Sequence, residues 1–220
     1  MLSCIPFSII YDLEDNLHLV FLFCSGFTIS IGFFMRLISK KDKNSEIKKR
    51  DGYLIVVLGW LFMTIFGSLP YLISGSIPSI TNAFFETMSG FTTTGSTILN
   101  DIESLPKSIL FWRSMTQWIG GMGIIVLTIA ILPLLGIGGM ELFIAEAPGP
   151  TKDKIHPRIK ETAKRLWIIY LGLTTLETIV LMFFGLDFFD AINHSLTTTS
   201  TGGFSTCLLY TSDAADEPVC

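Results

Sequence analysis

Long apolar stretches with almost no charge constrain this chain more than any other feature. A helix needs roughly 20 apolar residues to cross the hydrocarbon core of a bilayer. Stretches of that length are predicted at Leu17–Ile38, Tyr53 to about Ser74, Ile109 to about Leu135, and Arg165–Leu186. Only 15% of the residues are charged, whereas a soluble domain has about a quarter. The sequence therefore predicts an all-α polytopic membrane protein.

The basic residues are concentrated in two short loops. Together with Arg36, residues 40–50 and 152–165 hold all the lysines and arginines except Lys107 and Arg113. Cytoplasmic loops carry an excess of Lys and Arg, so both loops are predicted to be cytoplasmic. The segments 75–107 and 187–206 then lie on the outer side. The alternative, a site for nucleic acid or anionic lipid, is disfavoured by the acidic residues interleaved in both loops.

The two outer segments repeat one pattern. ITNAFFETMSGF and FDAINHSLTTTS are each suited to a helix of about ten residues, which is too short to span the membrane. Each is followed by Thr, Ser and Gly residues. Aligned without gaps, Ala83 meets Ala191, Glu86 meets His194 and Gly95 meets Gly203, a separation of 108 residues. We interpret both as re-entrant half-helices that end in a Thr/Gly turn, because irregular backbone at membrane depth must line a cavity or be buried in protein.

The Thr/Gly turns have the chemistry of a pore for a monovalent cation. Backbone carbonyls can replace the hydration shell of an ion, and glycine accepts the positive φ that aims them. Hydroxyl groups add neutral oxygens, and the absence of full charge allows an ion to leave. The candidate metal-site residues are Thr92, Thr93, Thr94, Gly95, Ser200, Thr201, Gly202 and Gly203.

Two other interpretations of these residues were weighed. Thr, Ser and Gly also mediate close packing of helices in lipid, but packing alone does not account for two copies at matching topology. Ser89 and His194 could suggest an intramembrane serine protease. The sequence has no GxSxG motif, which an α/β-hydrolase nucleophile requires. We therefore expect neither an enzyme nor a cofactor.

Several stretches resemble the Trk/Ktr family of potassium-uptake proteins, most closely the TrkH type. The motifs that carry the resemblance are KKRDGYLIVVLGW, NAFFETMSGFTTTGST, LPKSILFWRSMTQWIGGMGIIVLTIAILPLLGIGGM, AEAPGPTKDKIHPRIKETAKRLWIIY and STGGFST. The resemblance implies four span–half-helix–span units around one pore, with Gly95 and Gly203 as the key filter glycines. Relatives that favour sodium often carry serine at the first such glycine, so Gly95 favours potassium.

The same resemblance implies partners and a location. Members of the family work in the bacterial inner membrane as homodimers, on a cytoplasmic ring of nucleotide-binding regulatory subunits of the TrkA type. No nucleic acid is expected as a partner. The transported ligand is the potassium ion, and the basic loops are where a regulatory subunit could make contact.

The resemblance also divides the chain. Residues 1–52 form a leading helix and basic loop, 53–135 a first unit, 136–164 a cytoplasmic loop, and 165–206 the span and pore loop of a second unit. Two of the four filter turns are present, so the chain is interpreted as a fragment. The alternatives are a short cation channel that completes its filter by dimerising and a non-transporting fragment.

Residues 207–220, CLLYTSDAADEPVC, do not continue the family pattern. We interpret them as a non-native tail, and our hypothesis is that Cys207–Glu217 is the translation of sequencing-adapter DNA. Cys207 and Cys220 are accordingly predicted to have no function.

Polar residues within the spans are further candidates, because they are costly in a bilayer. Glu177 is predicted to be a protonated carboxyl group that bonds a neighbouring helix. Arg113, near Gln117 at the outer end of the third span, either extends outward to the interface or supports the first turn. Close helix packing is predicted at Gly120, Gly121 and Gly123.

Overall fold

A computed structural model describes residues 1–38, 49–135 and 155–207. In these ranges the regular elements are all helical, which confirms the predicted fold class. A short 3-10 helix at Leu2–Cys4 is followed by α1 (Ile5–Tyr11), α2 (Leu17–Ile38), α3 (Lys49–Ile73), α4 (Ile80–Phe91), α5 (Lys107–Leu135), α6 (Ile155–Phe183) and α7 (Phe188–Thr199).

Three helices of the described part are long and apolar enough to cross a membrane: Leu17–Ile38, Tyr53–Ile73 within α3, and Glu161–Phe183 within α6. Only 22%, 22% and 11% of their most apolar windows are buried inside the protein. The rest of each window is exposed and apolar, as expected for a helix surface that contacts lipid hydrocarbon. Helix α5 has 29 residues, which corresponds to a length of about 44 Å.

The predicted fourth span has different bounds. The sequence predicts this span at Arg165–Leu186, whereas α6 begins at Ile155 and ends at Phe183. The prediction followed apolar character, whereas the helix continues on its N-terminal side through a basic, polar stretch. A helix can extend beyond the hydrocarbon core because its backbone bonds are satisfied internally wherever it lies.

The two predicted half-helices are confirmed. Helices α4 and α7 have 12 residues each, too few to span the membrane. The side chains of their N-cap residues, Ser79 and Asp187, accept hydrogen bonds from backbone amides of the first turn. Helix α4 packs against α3 and α5, and α7 packs against α5 and α6. Helix α5 therefore packs against both half-helices.

The N-terminus of α5 is held by a distant residue. The Asp12 carboxylate accepts hydrogen bonds from the backbone amides of Lys107 at 3.2 Å and Ser108 at 2.7 Å. A carboxylate there satisfies free N–H groups and complements the positive end of the helix dipole. Phe7 stacks on Phe111 with ring centroids 4.0 Å apart. These contacts position the helix that lies between the half-helices.

Several predicted features lie outside the described residues. These are most of the first basic loop, the loop 136–154, and tail residues 208–220, including Cys220. Cys207 is described, and its thiol donates to the Glu103 carboxylate at 2.6 Å.

Candidate functional site

The two Thr/Gly turns share one backbone conformation. We call Thr92–Gly95 the first turn and Ser200–Gly203 the second turn. The φ angle is 55° at Thr93 and 57° at Thr201, and it is 79° at both Gly95 and Gly203. The aligned positions of the two copies therefore have matching left-handed residues, which confirms the register of the repeat at atomic detail.

The left-handed threonines were not predicted from the sequence. Positive φ was expected at glycine, and a β-branched residue there is a genuine outlier. In each copy the threonine follows the end of a half-helix in a Schellman-type arrangement. The Thr94 amide donates to the Ser89 carbonyl at 2.9 Å, and the Gly202 amide donates to the Thr197 carbonyl at 2.8 Å. The strained residue is thus held by hydrogen bonds that close the helix.

Positive φ recurs at every second residue in each turn, whereas Thr94 and Gly202 lack it. In a uniform extended chain successive residues face opposite sides. Alternating the sign of φ reverses every second peptide unit, so neighbouring carbonyls can face one side. Helices α4 and α7 direct the partial negative charge of their C-terminal ends toward these turns. The arrangement can offer several neutral oxygens to a dehydrated cation.

The two turns lie against each other. A Cβ atom added to Gly95 would stand 2.2 Å from the carbonyl oxygen of Gly202, a separation that real Cβ atoms do not show. No described atom lies within 4 Å of the equivalent Cβ position on Gly203. Gly95 therefore serves two purposes, since it adopts positive φ and leaves room for the backbone of the second turn.

A buried ion pair lies behind the first turn. Arg113 of α5 is 2% exposed and Glu86 of α4 is 0% exposed, and the Arg113 Nε atom is 2.7 Å from Glu86 Oε1. The Arg113 Nη1 atom donates to the Ser205 carbonyl, just after the second turn, at 2.9 Å. The guanidinium carbon also lies 3.7 Å from the centre of the Phe204 ring. Of the two predicted roles of Arg113, extension outward to the interface is wrong, because its partners on α4 and just after the second turn hold it inside.

The Glu86 carboxylate also fixes the segment that follows the first turn. It accepts hydrogen bonds from the Thr97 hydroxyl at 2.9 and 3.0 Å and from the Ile98 amide at 3.0 Å. With the bond from Arg113, each carboxylate oxygen has two partners. Such saturation compensates the cost of placing a charge in a buried site. The sequence showed Glu86 only as the partner of His194 in the repeat alignment.

Gln117 holds the backbone at the end of the second turn, where it bonds the residues on both sides of Gly203. Its Nε2 atom donates to the Gly202 carbonyl at 2.9 Å, and its Oε1 atom accepts from the Phe204 amide at 3.1 Å. A Cβ atom on Gly202 would lie 2.3 Å from the Gln117 amide carbon. Glycine at 202, where the first turn has Thr94, is therefore what allows Gln117 to reach the backbone.

Small residues bring α5 close to both half-helices. A Cβ atom on Gly120 would lie 1.9 Å from the Phe91 carbonyl oxygen of α4, and one on Gly121 would lie 3.2 Å from the Cα atom of Ser200, the C-cap of α7. The predicted close packing is confirmed at these two glycines. At Gly123 the nearest described atom, on Trp60, is 4.0 Å away, so this glycine marks no close approach.

Comparison with known proteins decides the family. The family model for TrkH, described as cation transport protein, matches residues 20–208. The chain belongs to this family. The match includes α4, α5 and α7 and both turns, so the TrkH family assignment covers the whole candidate site.

Curated relatives of the TrkH family agree. The chain is 54% identical over 180 residues to the Trk system potassium uptake protein TrkH of Escherichia coli, which covers 81% of this chain and 37% of that protein. It is 46% identical over 211 residues to the TrkH of Halomonas elongata, covering 94% and 44%. The chain thus spans less than half the length of these relatives.

A solved structure shows the same fold. The crystal structure of the potassium transporter TrkH from Vibrio parahaemolyticus matches with a TM-score of 0.78 and 42% identity, covering 94% of this chain and 40% of that chain. The apolar helices and these TrkH relatives together identify a membrane protein.

The remaining candidate residues also have places in the structure. The Ser89 hydroxyl donates to the Ser96 carbonyl at 2.5 Å, so this group supports the segment after the first turn. The Thr199 hydroxyl lies 3.3 Å from a carboxylate oxygen of Glu177, which confirms the predicted bond to a neighbouring helix. Among the residues that the structure describes, no three His, Cys, Asp or Glu side chains converge on a metal site.

Proposed function

We propose that this chain is part of a potassium-uptake protein of the bacterial inner membrane. The selectivity filter would have four parts. The first turn, Thr92–Gly95, and the second turn, Ser200–Gly203, would contribute two of them. The observation that carries the proposal is the same alternating left-handed backbone in two adjacent copies. The TrkH relatives are named potassium uptake proteins, which supports the choice of ion.

The proposed process is passage of an ion, with no bond made or broken, so it needs neither a catalytic residue nor a cofactor. In the TrkH-like arrangement the whole protein would form a homodimer. It would bind a cytoplasmic nucleotide-binding subunit of the TrkA type through its basic loops. These partners belong to the proposal and rest on the family resemblance.

A chimera tests the proposal directly. The segment of the Escherichia coli relative that matches this chain is replaced by residues 20–206, so that the relative supplies the other units. The chimera is expressed in a strain without its own potassium uptake, and rubidium and sodium uptake are measured. We expect growth at low potassium and a preference for rubidium. A chimera present in the membrane at the parental level that takes up no rubidium would contradict the proposal.

The first turn provides the specific test of ion choice. In the chimera, Gly95→Ser is expected to lower the rubidium-to-sodium uptake ratio, because the added side chain meets the Gly202 carbonyl at a left-handed residue. An unchanged rubidium-to-sodium uptake ratio would show that Gly95 is not part of the selectivity filter.

A further inference from the structure

Gln117 of α5 bonds the backbone of the second turn and Arg113 bonds the backbone just after it, although α5 belongs to the first unit of the repeat. The residues are four apart and so lie on one face of the helix. Both are fully or almost fully buried, with Gln117 at 0% and Arg113 at 2% exposure. We call this pair the α5 brace.

The side chains of the α5 brace bond α4, the second turn and the residues just after it, and not their own helix. Gln117 bonds the Gly202 carbonyl and the Phe204 amide, and Arg113 bonds the Ser205 carbonyl. Arg113 also bonds Glu86, which in turn holds Thr97 and Ile98 after the first turn. One connected network therefore joins the segments that follow both turns, and it passes through α5.

Packing alone does not require these side chains. Replacing a buried ion pair with apolar residues of similar volume is often neutral or stabilising, and polar groups in a membrane interior are costly. A helix that served only to fill space between α4 and α7 would be better made of Leu and Met. The polar atoms instead meet backbone groups next to Gly202 and Gly203, whose positions decide the geometry around an ion.

We propose that Arg113 and Gln117 are positioning residues for ion selection, which set the second turn at a fixed distance from the first. The inference rests on the proposed function and names residues that act on the filter from behind, without touching the ion. It predicts that ion preference depends on the third span even when the turn sequences are unchanged.

The test uses the chimera described above and measures three quantities: membrane abundance, rubidium uptake and the rubidium-to-sodium uptake ratio. Gln117→Leu removes both bonds to the second turn at nearly constant volume. Arg113→Lys keeps the charge but cannot bond Glu86 and Ser205 with one planar group. Ser114→Ala is the matched control, because Ser114 is buried on the same helix and its hydroxyl donates only to the Leu110 carbonyl of that helix.

We expect Gln117→Leu to lower the uptake ratio about tenfold, the change that corresponds to about 1.4 kcal/mol, which is within the range for unpaired buried polar groups. Arg113→Lys should lower the ratio in the same direction, and Ser114→Ala should leave it unchanged. Membrane abundance should stay near that of the parent chimera for at least one of the two brace variants.

Two results would overturn the inference. One is an unchanged ratio in both brace variants while uptake continues. The other is a parallel loss of abundance and of both ion fluxes in both variants, which would make the α5 brace purely structural. Failure of the proposed function is distinguished from either, since the unsubstituted chimera would then take up no rubidium.

Discussion

The first and second turns have the same backbone and different supports. The segment just after the first turn is held mainly by its own unit, through Glu86 and the Ser89 hydroxyl on the half-helix. The second turn is held by α5, which reaches it from the preceding unit. His194 stands where the first copy has Glu86, so the second copy has no carboxylate at that place.

This difference separates the part of the site that both turns share, the backbone conformation, from the part that can vary, the contacts that support it. The left-handed residues recur at the same places because they set the direction of the carbonyl groups. The supports differ because any set of buried donors and acceptors that pairs completely can hold a turn. Glycine at 202 makes room for Gln117, whereas Thr94 at the equivalent place of the first turn is exposed.

The largest difference between the turns should appear at Gly95 and Gly203, the last residue of each turn. Gly95→Ala combines a left-handed φ with overlap on the Gly202 carbonyl, and we expect a loss of about 3 to 4 kcal/mol in the free energy of unfolding. Gly203→Ala has only the conformational penalty within the described structure, about 1 to 2 kcal/mol. SDS titration of the detergent-solubilised chain, followed by helical circular dichroism, measures both.

Gly75→Ala serves as the control for this pair. Gly75 has a φ of 73° and no described atom within 4 Å of the added Cβ, so its substitution should match Gly203→Ala. Equal losses for Gly95→Ala and Gly75→Ala would show that the contact between the turns contributes nothing.

The ion pair provides the second comparison. Glu86→Leu leaves Arg113 buried without its carboxylate, which should cost about 3 kcal/mol in the same titration. His194→Leu in the second copy should cost clearly less, because His194 is half-buried and its removal leaves no fully buried charge behind. A larger loss for His194→Leu would mean that the two half-helices depend on their polar residues in the opposite order.

A smaller effect is expected at the hydroxyl that supports the first turn. Ser89→Ala leaves the Ser96 carbonyl without this donor and should cost about 1 kcal/mol. Its counterpart Thr197 donates to the His194 carbonyl of its own helix at 3.0 Å, so Thr197→Val should cost less than half as much. Matching values would indicate that the turn gains nothing from Ser89 beyond helix packing.

The smallest effect should be equal in the two copies. Thr93→Gly and Thr201→Gly each remove the conformational strain of a left-handed threonine, which stabilises the fold by about 1 to 2 kcal/mol. Each also increases the backbone entropy of the unfolded chain, which destabilises the fold by about 0.5 to 1 kcal/mol. We expect a net gain of about 0.5 kcal/mol for both in the SDS titration. Changes of opposite sign in the free energy of unfolding at the two positions would show that the two turns are not equivalent.

The sequence predicted the features that arise from local pattern. Apolar length located the spans, short amphipathic segments located α4 and α7, and the repeat alignment placed Gly95 opposite Gly203. The ends of α6 were missed because apolar character marks the membrane-crossing part of a helix and not the helix itself.

The contacts that support the turns could not be predicted in the same way. Glu86 and Arg113 are 27 residues apart, and Gln117 and Gly202 are 85 apart, so no local periodicity records their pairing. The available signal was energetic, since Glu86, Arg113 and Gln117 are three costly polar groups in segments predicted to lie at membrane depth. Treating such residues as a set to be paired with one another would have suggested the network.

The bond from Asp12 to the start of α5 has a consequence for the order of assembly. Asp12 precedes Lys107 by 95 residues, so the ribosome releases the capping carboxylate long before the helix that it caps. When α5 enters the membrane, the Asp12 carboxylate just after α1 is already available to cap its start. We therefore expect the early segment of the chain to act as a template, which places the start of α5 before α7 and the second turn have been synthesised.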